Sequence, residues 1–206
     1  MSGHSAPRIV LASASASRRK LLSAAGVVCD VVPSRVDEPA VRRKFEAASS
    51  EPIAPEVLAM ALAEAKALDV AGRQPGALVI GADQVLALGS RIFEKPRDIA
   101  EARAHLTAFR GRTHVLHSCV ALAADGTLLW RERSEAHMTM RAFSDAFLDF
   151  YLAKAGDAVC ASVGAYQLEG LGIQLFERIE GDYFTILGLP LLPLLAELRN
   201  RKVLTA

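Results

Sequence analysis

Long apolar runs are missing from this chain of 206 residues. No stretch reaches the roughly 20 consecutive apolar residues that a membrane span needs. At the N-terminus only Arg8 precedes a short apolar run that breaks at Ser13, which fits neither a secretory signal nor an anchor. A cytoplasmic protein with no membrane partner is therefore expected. Charge of either sign is not in excess, with 24 Lys and Arg against 23 Asp and Glu, and aromatics make up only 6%. Nucleic-acid binding would want a basic stripe interleaved with aromatics, so it is not expected. Any anion site must be local. Cysteine is scarce: Cys29, Cys119 and Cys160 are widely spaced and form no C-x-x-C pair. They read as reduced thiols of the core rather than a disulfide framework or a zinc site.

Several signature motifs are absent as well. There is no G-x-x-x-x-G-K-[ST], so a P-loop is excluded, and Gly170-Leu171-Gly172 lacks both the third glycine and the preceding strand of a dinucleotide fingerprint. His114 and His117 lie three apart on a predicted strand, which points them to opposite faces and rules out shared metal ligation. His137 falls on a polar face.

What is present is an alternation of strand and helix patterns, with 51% hydrophobic residues to build a core. Residues 8–12 (RIVLA) read as a buried strand, a helix follows from Ser17 to a stop at Gly26, and VVCDVV returns as a second strand. The polar stretch from Pro33 to Pro55 has the composition of a long exposed loop or a short helix. Pro55 opens a helix on which Leu58, Leu62 and Ala65 form an apolar line, with Lys66 beside the seam. Residues 77–88 (ALVIGADQVLAL) form a strand too apolar for a one-sided sheet. A hairpin-like segment and a helix capped by Asp98 follow, then two strands turning at Asp125-Gly126, a helix over 144–155, and a last helix with Pro190 in its opening turn. The alternation predicts an α/β fold on a mixed sheet, with functional groups at strand ends.

Three features carry chemistry. Ser13, Ser15 and Ser17 put hydroxyls and backbone N–H groups at a strand-to-helix turn, with Arg18 at the start of the helix. That is a local anion site, although Ser17 alone is an ordinary helix cap. Asp83 is an acid inside an apolar strand, which must be paired, metal-bound or at the strand's exposed end. Lys66 and Lys95 are each unremarkable as snorkelling lysines. Taken with Glu38 and Asp83, they supply what a metal-bound triphosphate requires: cations for oxygen charge, and carboxylates for a divalent cation or a water.

Read in order, LASASASRRKLL, VDE at 36–38, LAEAKA, GADQV, EKPRD, EARAHL, GRTH and EGLGIQLFERIEGDYFTILGLPL resemble the Maf family of nucleoside triphosphate pyrophosphatases over nearly the whole chain. The resemblance implies a single domain over 1–206. Its expected form is an elongated α/β fold with a mixed sheet, related to the inosine-triphosphate pyrophosphatases, whose two lobes flank a cleft. Residues 1–7 are expected to lack fixed structure. It also implies cleavage between the α and β phosphates with Mg²⁺ or Mn²⁺, removing noncanonical or excess nucleotides. Residue by residue, it makes Asp83 the proton acceptor and gives substrate binding to Ser13, Arg18, Glu38, Lys66 and Lys95. Glu38 and Asp83 are the implied metal ligands. At the specificity positions, Gln84 and Glu169 look like the 7-methylguanosine triphosphate branch, whereas the dTTP and UTP branch has threonine and glutamine there. Ser17 matches neither branch. A homodimer is compatible with the resemblance. The rival function, also drawn from the family, is a nucleotide-binding regulator of septum formation without catalysis; that role needs the cations but not the two carboxylates.

Overall fold

The computed structural model describes residues 7–48 and 52–205. Residues 1–6 of the segment expected to lack structure lie outside the described residues. In chain order the elements are β1 (Arg8–Leu11), α1 (Ala16–Ala24), β2 (Asp30–Val31), α2 (Glu38–Ala48), α3 (Pro55–Ala71), β3 (Ala77–Leu88), β4 (Arg91–Phe93), α4 (Ile99–Phe109), β5 (Thr113–Ala124), β6 (Thr127–Met140), α5 (Asp145–Ala155), β7 (Phe176–Glu180), α6 (Tyr183–Ile186) and α7 (Leu191–Asn200). The strands form one mixed sheet of seven in the order β2-β1-β3-β5-β6-β7, with β4 paired to β3. β1 runs parallel to both β2 and β3, while β4 pairs antiparallel with β3. This is the α/β architecture with a mixed sheet that the alternation predicts.

Local chemistry explains where most elements start and stop. Asp98 caps α4 by accepting the Glu101 N–H at 2.8 Å, and Ser144 caps α5 through the Phe147 N–H at 3.2 Å. Asp125 and Gly126 both take positive φ, 47° and 75°, the conformation that a two-residue hairpin turn requires. Two expectations need correction and one alternative is resolved. VVCDVV contributes only the two-residue β2 at the sheet edge, where Val28 is almost fully exposed. Within the polar 33–55 stretch the short-helix alternative holds over Glu38–Ala48, where the Asp37 carboxylate accepts the Ala40 N–H at 3.0 Å and starts the eleven-residue α2. Of the three free cysteines Cys119 is buried and Cys29, half-buried, packs against the core, whereas Cys160 is only half-buried.

The chain divides into two compact units. The first comprises residues 7–84, 118–134 and 182–205 of the described chain. Its core gathers Leu11, Leu22, Ile80, Leu122, Leu194 and Leu198, contributed by β1, α1, β3, β5 and α7. Here α3 and β3 meet almost backbone to backbone. A Cβ at Gly81 would stand 2.3 Å from the Ala63 carbonyl oxygen and 2.5 Å from the Ala67 nitrogen. No side chain other than hydrogen fits at that position.

The second unit, residues 85–117 and 135–181, is built on rings. His114 is fully buried, lies 4.7 Å from Phe109 between ring centroids, and shares a 2.8 Å hydrogen bond between its Nε2 and the Tyr166 hydroxyl. Burial drives its pKa down from 6.5 to about 3. The folded state therefore keeps His114 neutral where the unfolded chain would take up a proton. Its contribution to stability is complete above pH 6.5 and is lost as pH falls toward 3, by up to about 1.4 kcal/mol per pH unit. A His114→Phe variant should show a shallower fall of Tm between pH 6.5 and pH 4 than the parent in thermal melts. Equal slopes would remove His114 from the acid response.

Candidate active site

The apolar stripe of α3 includes Leu58, Leu62, Ala63, Lys66, Ala67 and Val70, so the helix period itself carries Lys66 inward. Because Gly81 lets β3 approach the small residues Ala63 and Ala67, the lysine reaches the strand's acid two residues further on. Lys66 Nζ lies 2.5 Å from Asp83 Oδ1 and 2.6 Å from Glu38 Oε1. Lys66 and Asp83 are buried, while the Glu38 side chain at the start of α2 is about half exposed, at 52%. Of the three solutions open to an acid on an apolar strand, the fold supplies pairing. Burial raises the Asp83 pKa, and the nearby charges of Lys66 and Arg18 pull it the other way.

The serine-rich turn is equally specific. Ser15, not Ser17, caps α1, its hydroxyl accepting the Arg18 N–H at 3.4 Å, because the helix begins at Ala16. Ser17 is exposed. Arg18 folds back from the helix. Its Nη1 donates to Ser13 Oγ at 3.0 Å and to the Ala82 carbonyl at 2.9 Å, and its Nε donates to the Gly188 carbonyl at 2.8 Å. The guanidinium is thereby fixed next to the residue that precedes Asp83. Burial lowers its pKa, against the Coulombic pull of Asp83 and Glu38. Gly188 holds φ at +90°, a left-handed value that favours glycine.

Gln84, the residue after Asp83, is held by the protein. Its Nε2 donates to Ser118 Oγ at 2.9 Å, to the Thr185 carbonyl at 3.0 Å and to the Ile186 carbonyl at 3.2 Å. The amide nitrogen is spent on the protein, and only Oε1 remains to meet a ligand. Ser118, Thr185 and Gly188 escape sequence reading because their signal is weak: one hydroxyl within an apolar strand, one after an Asp182 cap, and one glycine before a proline-containing helix start. The fold thus brings Ser13, Arg18, Glu38, Lys66, Asp83 and Gln84 together in the first unit. Lys95, in the loop after β4, and Glu169, in a turn, are exposed residues of the second unit.

Among the described residues, no group of three or more His, Cys, Asp or Glu could hold a metal by itself. Glu38 and Asp83 each commit one oxygen to Lys66 and keep a second. That donor set fits Mg²⁺ or Mn²⁺ of the kind held by one or two carboxylates, water and substrate phosphate oxygens.

The family model described as "Maf-like protein" matches residues 8–201. The "7-methyl-GTP pyrophosphatase" of Rhizobium meliloti (strain 1021) is 53% identical over 194 residues, covering 94% of this chain and 96% of that protein. The "Nucleoside triphosphate pyrophosphatase" of Hyphomonas neptunium (strain ATCC 15444) is 50% identical over 196 residues, covering 95% and 97%. A HAM1 protein structure from Coxiella burnetii superposes with a TM-score of 0.43 at 17% identity, over 66% of this chain and 74% of that one. Identity of this extent over nearly the whole chain, together with the match over residues 8–201, settles the kinship: the chain belongs to the Maf family.

Proposed function

We propose that this protein is a nucleoside triphosphate pyrophosphatase, in which water cleaves the bond between the α and β phosphates to give a nucleoside monophosphate and pyrophosphate. The observation that carries this reading is the buried Asp83–Lys66 pair, joined by the half-exposed Glu38, next to an Arg18 guanidinium pinned by three acceptors. The names of relatives about half identical support it. A protein that only binds nucleotides would need Arg18 but would gain nothing from burying a carboxylate beside it.

In this mechanism Asp83 accepts the proton of the attacking water. Burial makes it a stronger base than a solvated carboxylate, and Lys66 holds it in place. Arg18 binds polyphosphate oxygens through Nη2, which makes none of the three bonds that orient the guanidinium. The Ser13–Ser17 turn at the start of α1 adds backbone N–H groups for an anion. Glu38 and Asp83 would hold the divalent cation, which when bound neutralises charge on the phosphates. Lys95 is assigned a phosphate contact on its EKPRD motif. The test is incubation with a panel of nucleoside triphosphates and Mg²⁺ or Mn²⁺, with separate detection of pyrophosphate and orthophosphate. Pyrophosphate release is expected, and orthophosphate as the only product would overturn the reading.

For the base, the reading favours 7-methylguanosine triphosphate, as in the names of several relatives. Glu169, assigned by its motif, is acceptor-only when ionised and suits the paired N1–H and N2–H donors of guanine. Methylation at N7 makes the ring cationic and adds Coulombic attraction. The free Oε1 of Gln84 is again an acceptor. A Glu169→Gln variant should shift relative kcat/KM toward dTTP and UTP by roughly tenfold, about 1.4 kcal/mol of differential transition-state binding. An unchanged ratio takes the base away from Glu169.

A further inference from the structure

The orientation of Arg18 depends on the Gly188 carbonyl, and Gly188 belongs to a short turn with little regular structure of its own. The four-residue α6 begins at the Asp182 cap, whose carboxylate accepts the Phe184 and Thr185 N–H groups at 2.9 and 3.0 Å and also binds the Thr185 hydroxyl. Two carbonyls tie the turn to the sheet: that of Ile186, which accepts from Gln84 Nε2 at 3.2 Å, and that of Thr185, which is bound more heavily. The Thr185 carbonyl oxygen accepts from the Gly188 N–H at 3.0 Å, Gln84 Nε2 at 3.0 Å and Ser118 Oγ at 2.8 Å. Ser118, on β5, and Thr185 are both fully buried. The Ser118 hydroxyl is used in both senses, since it accepts from Gln84 Nε2 while donating to Thr185. The Ser118 hydroxyl holds the Thr185 carbonyl to which the Gly188 N–H is bonded, and the Leu189 N–H, donating to the Phe184 carbonyl at 3.1 Å, holds the peptide plane that carries the Gly188 carbonyl. That carbonyl is the acceptor for Arg18 Nε.

We propose that Ser118 is a positioning residue. It acts through the Thr185–Gly188 turn to aim the Arg18 guanidinium at the polyphosphate, a role that rests on the reading of Arg18 as a phosphate-binding residue. The hydrogen bonds run from β5 to the turn and from the turn to α1, and no bond in the chain involves Asp83. Ser118 should therefore govern polyphosphate affinity rather than water activation.

The experiment is a double-mutant cycle on binding of inorganic tripolyphosphate, measured by calorimetry without turnover. Ser118→Ala should weaken binding about three- to tenfold, the scale of one hydrogen bond. Arg18→Lys keeps the charge but has no guanidinium fork to read the Gly188 carbonyl. In that background Ser118→Ala should cost nothing further. An equal loss in both backgrounds overturns the proposal, as does a parent that does not bind tripolyphosphate, because a merely structural hydroxyl would act regardless of residue 18. Ser118→Cys, similar in volume but a weak donor, replaces the alanine variant if that variant does not fold. In nucleotide assays the loss should appear in KM with kcat little changed. A parent that binds tripolyphosphate with the expected cycle but hydrolyses no nucleotide would sink the proposed activity and leave the positioning role intact.

Discussion

An Asp83→Asn protein is expected to fold and to lose turnover by roughly 10² or more, the scale of a missing general base. The geometry separates the two outcomes well. Lys66 is shared between Asp83 and Glu38, so removing the charge at residue 83 still leaves the ammonium a carboxylate at 2.6 Å. The asparagine carbonyl oxygen can take over the bond now made by Oδ1. A buried lysine stripped of every counter-charge would cost far more. Steady-state kinetics with pyrophosphate detection, set beside thermal melts, check both halves. Near-normal turnover would remove Asp83 from the chemistry, whereas an unfolded variant would mean that its role is to neutralise Lys66.

The second large effect is on the fold itself. Gly81→Ala should destabilise the protein by about 3 kcal/mol, at the upper end of overpacking costs, because its Cβ would meet backbone atoms that no rotamer change can move. For a chain of 206 residues this corresponds to a drop in Tm of roughly 6–12 °C. Activity should fall along with it in the fraction that remains folded. Relief of the clash requires β3 to back away from α3, and that lengthens the reach from Lys66 to Asp83. An unchanged Tm with full activity would show that the close approach of the two backbones is not needed.

Both expectations start from the motif GAD at residues 81–83, whose acid was legible as unusual from the sequence alone. An ionisable side chain on an otherwise apolar strand announces itself, because burying a charge without compensation is costly. Its partner was only half legible. The helix period placed Lys66 beside the apolar seam, but a lysine there is equally consistent with a snorkelling side chain until the strand it faces is known. Glu38 was legible as an acid without a location. The 33–55 stretch reads as a loop or a short helix, and only the structure fixes the helix, started by the Asp37 cap, that presents Glu38 to Lys66.

By itself, then, the sequence determined what local rules control: the strands and helices that alternate into an α/β sheet, the cap at Asp98, the Asp125-Gly126 turn, and family membership through motifs in register. These follow from backbone preference and side-chain period, which act over a few residues. The tertiary structure alone decided that Asp83 pairs with Lys66, that Ser15 rather than Ser17 caps α1, that the Gln84 amide serves the protein, and that Arg18 meets Gly188 and Ser118 meets Thr185. The Arg18–Gly188 bond closes a separation of 170 residues and the Ser118–Thr185 bond one of 67. Partners this far apart meet only because the sheet orders its strands β1-β3-β5 and returns the chain through α6. Neither period nor propensity carries that information.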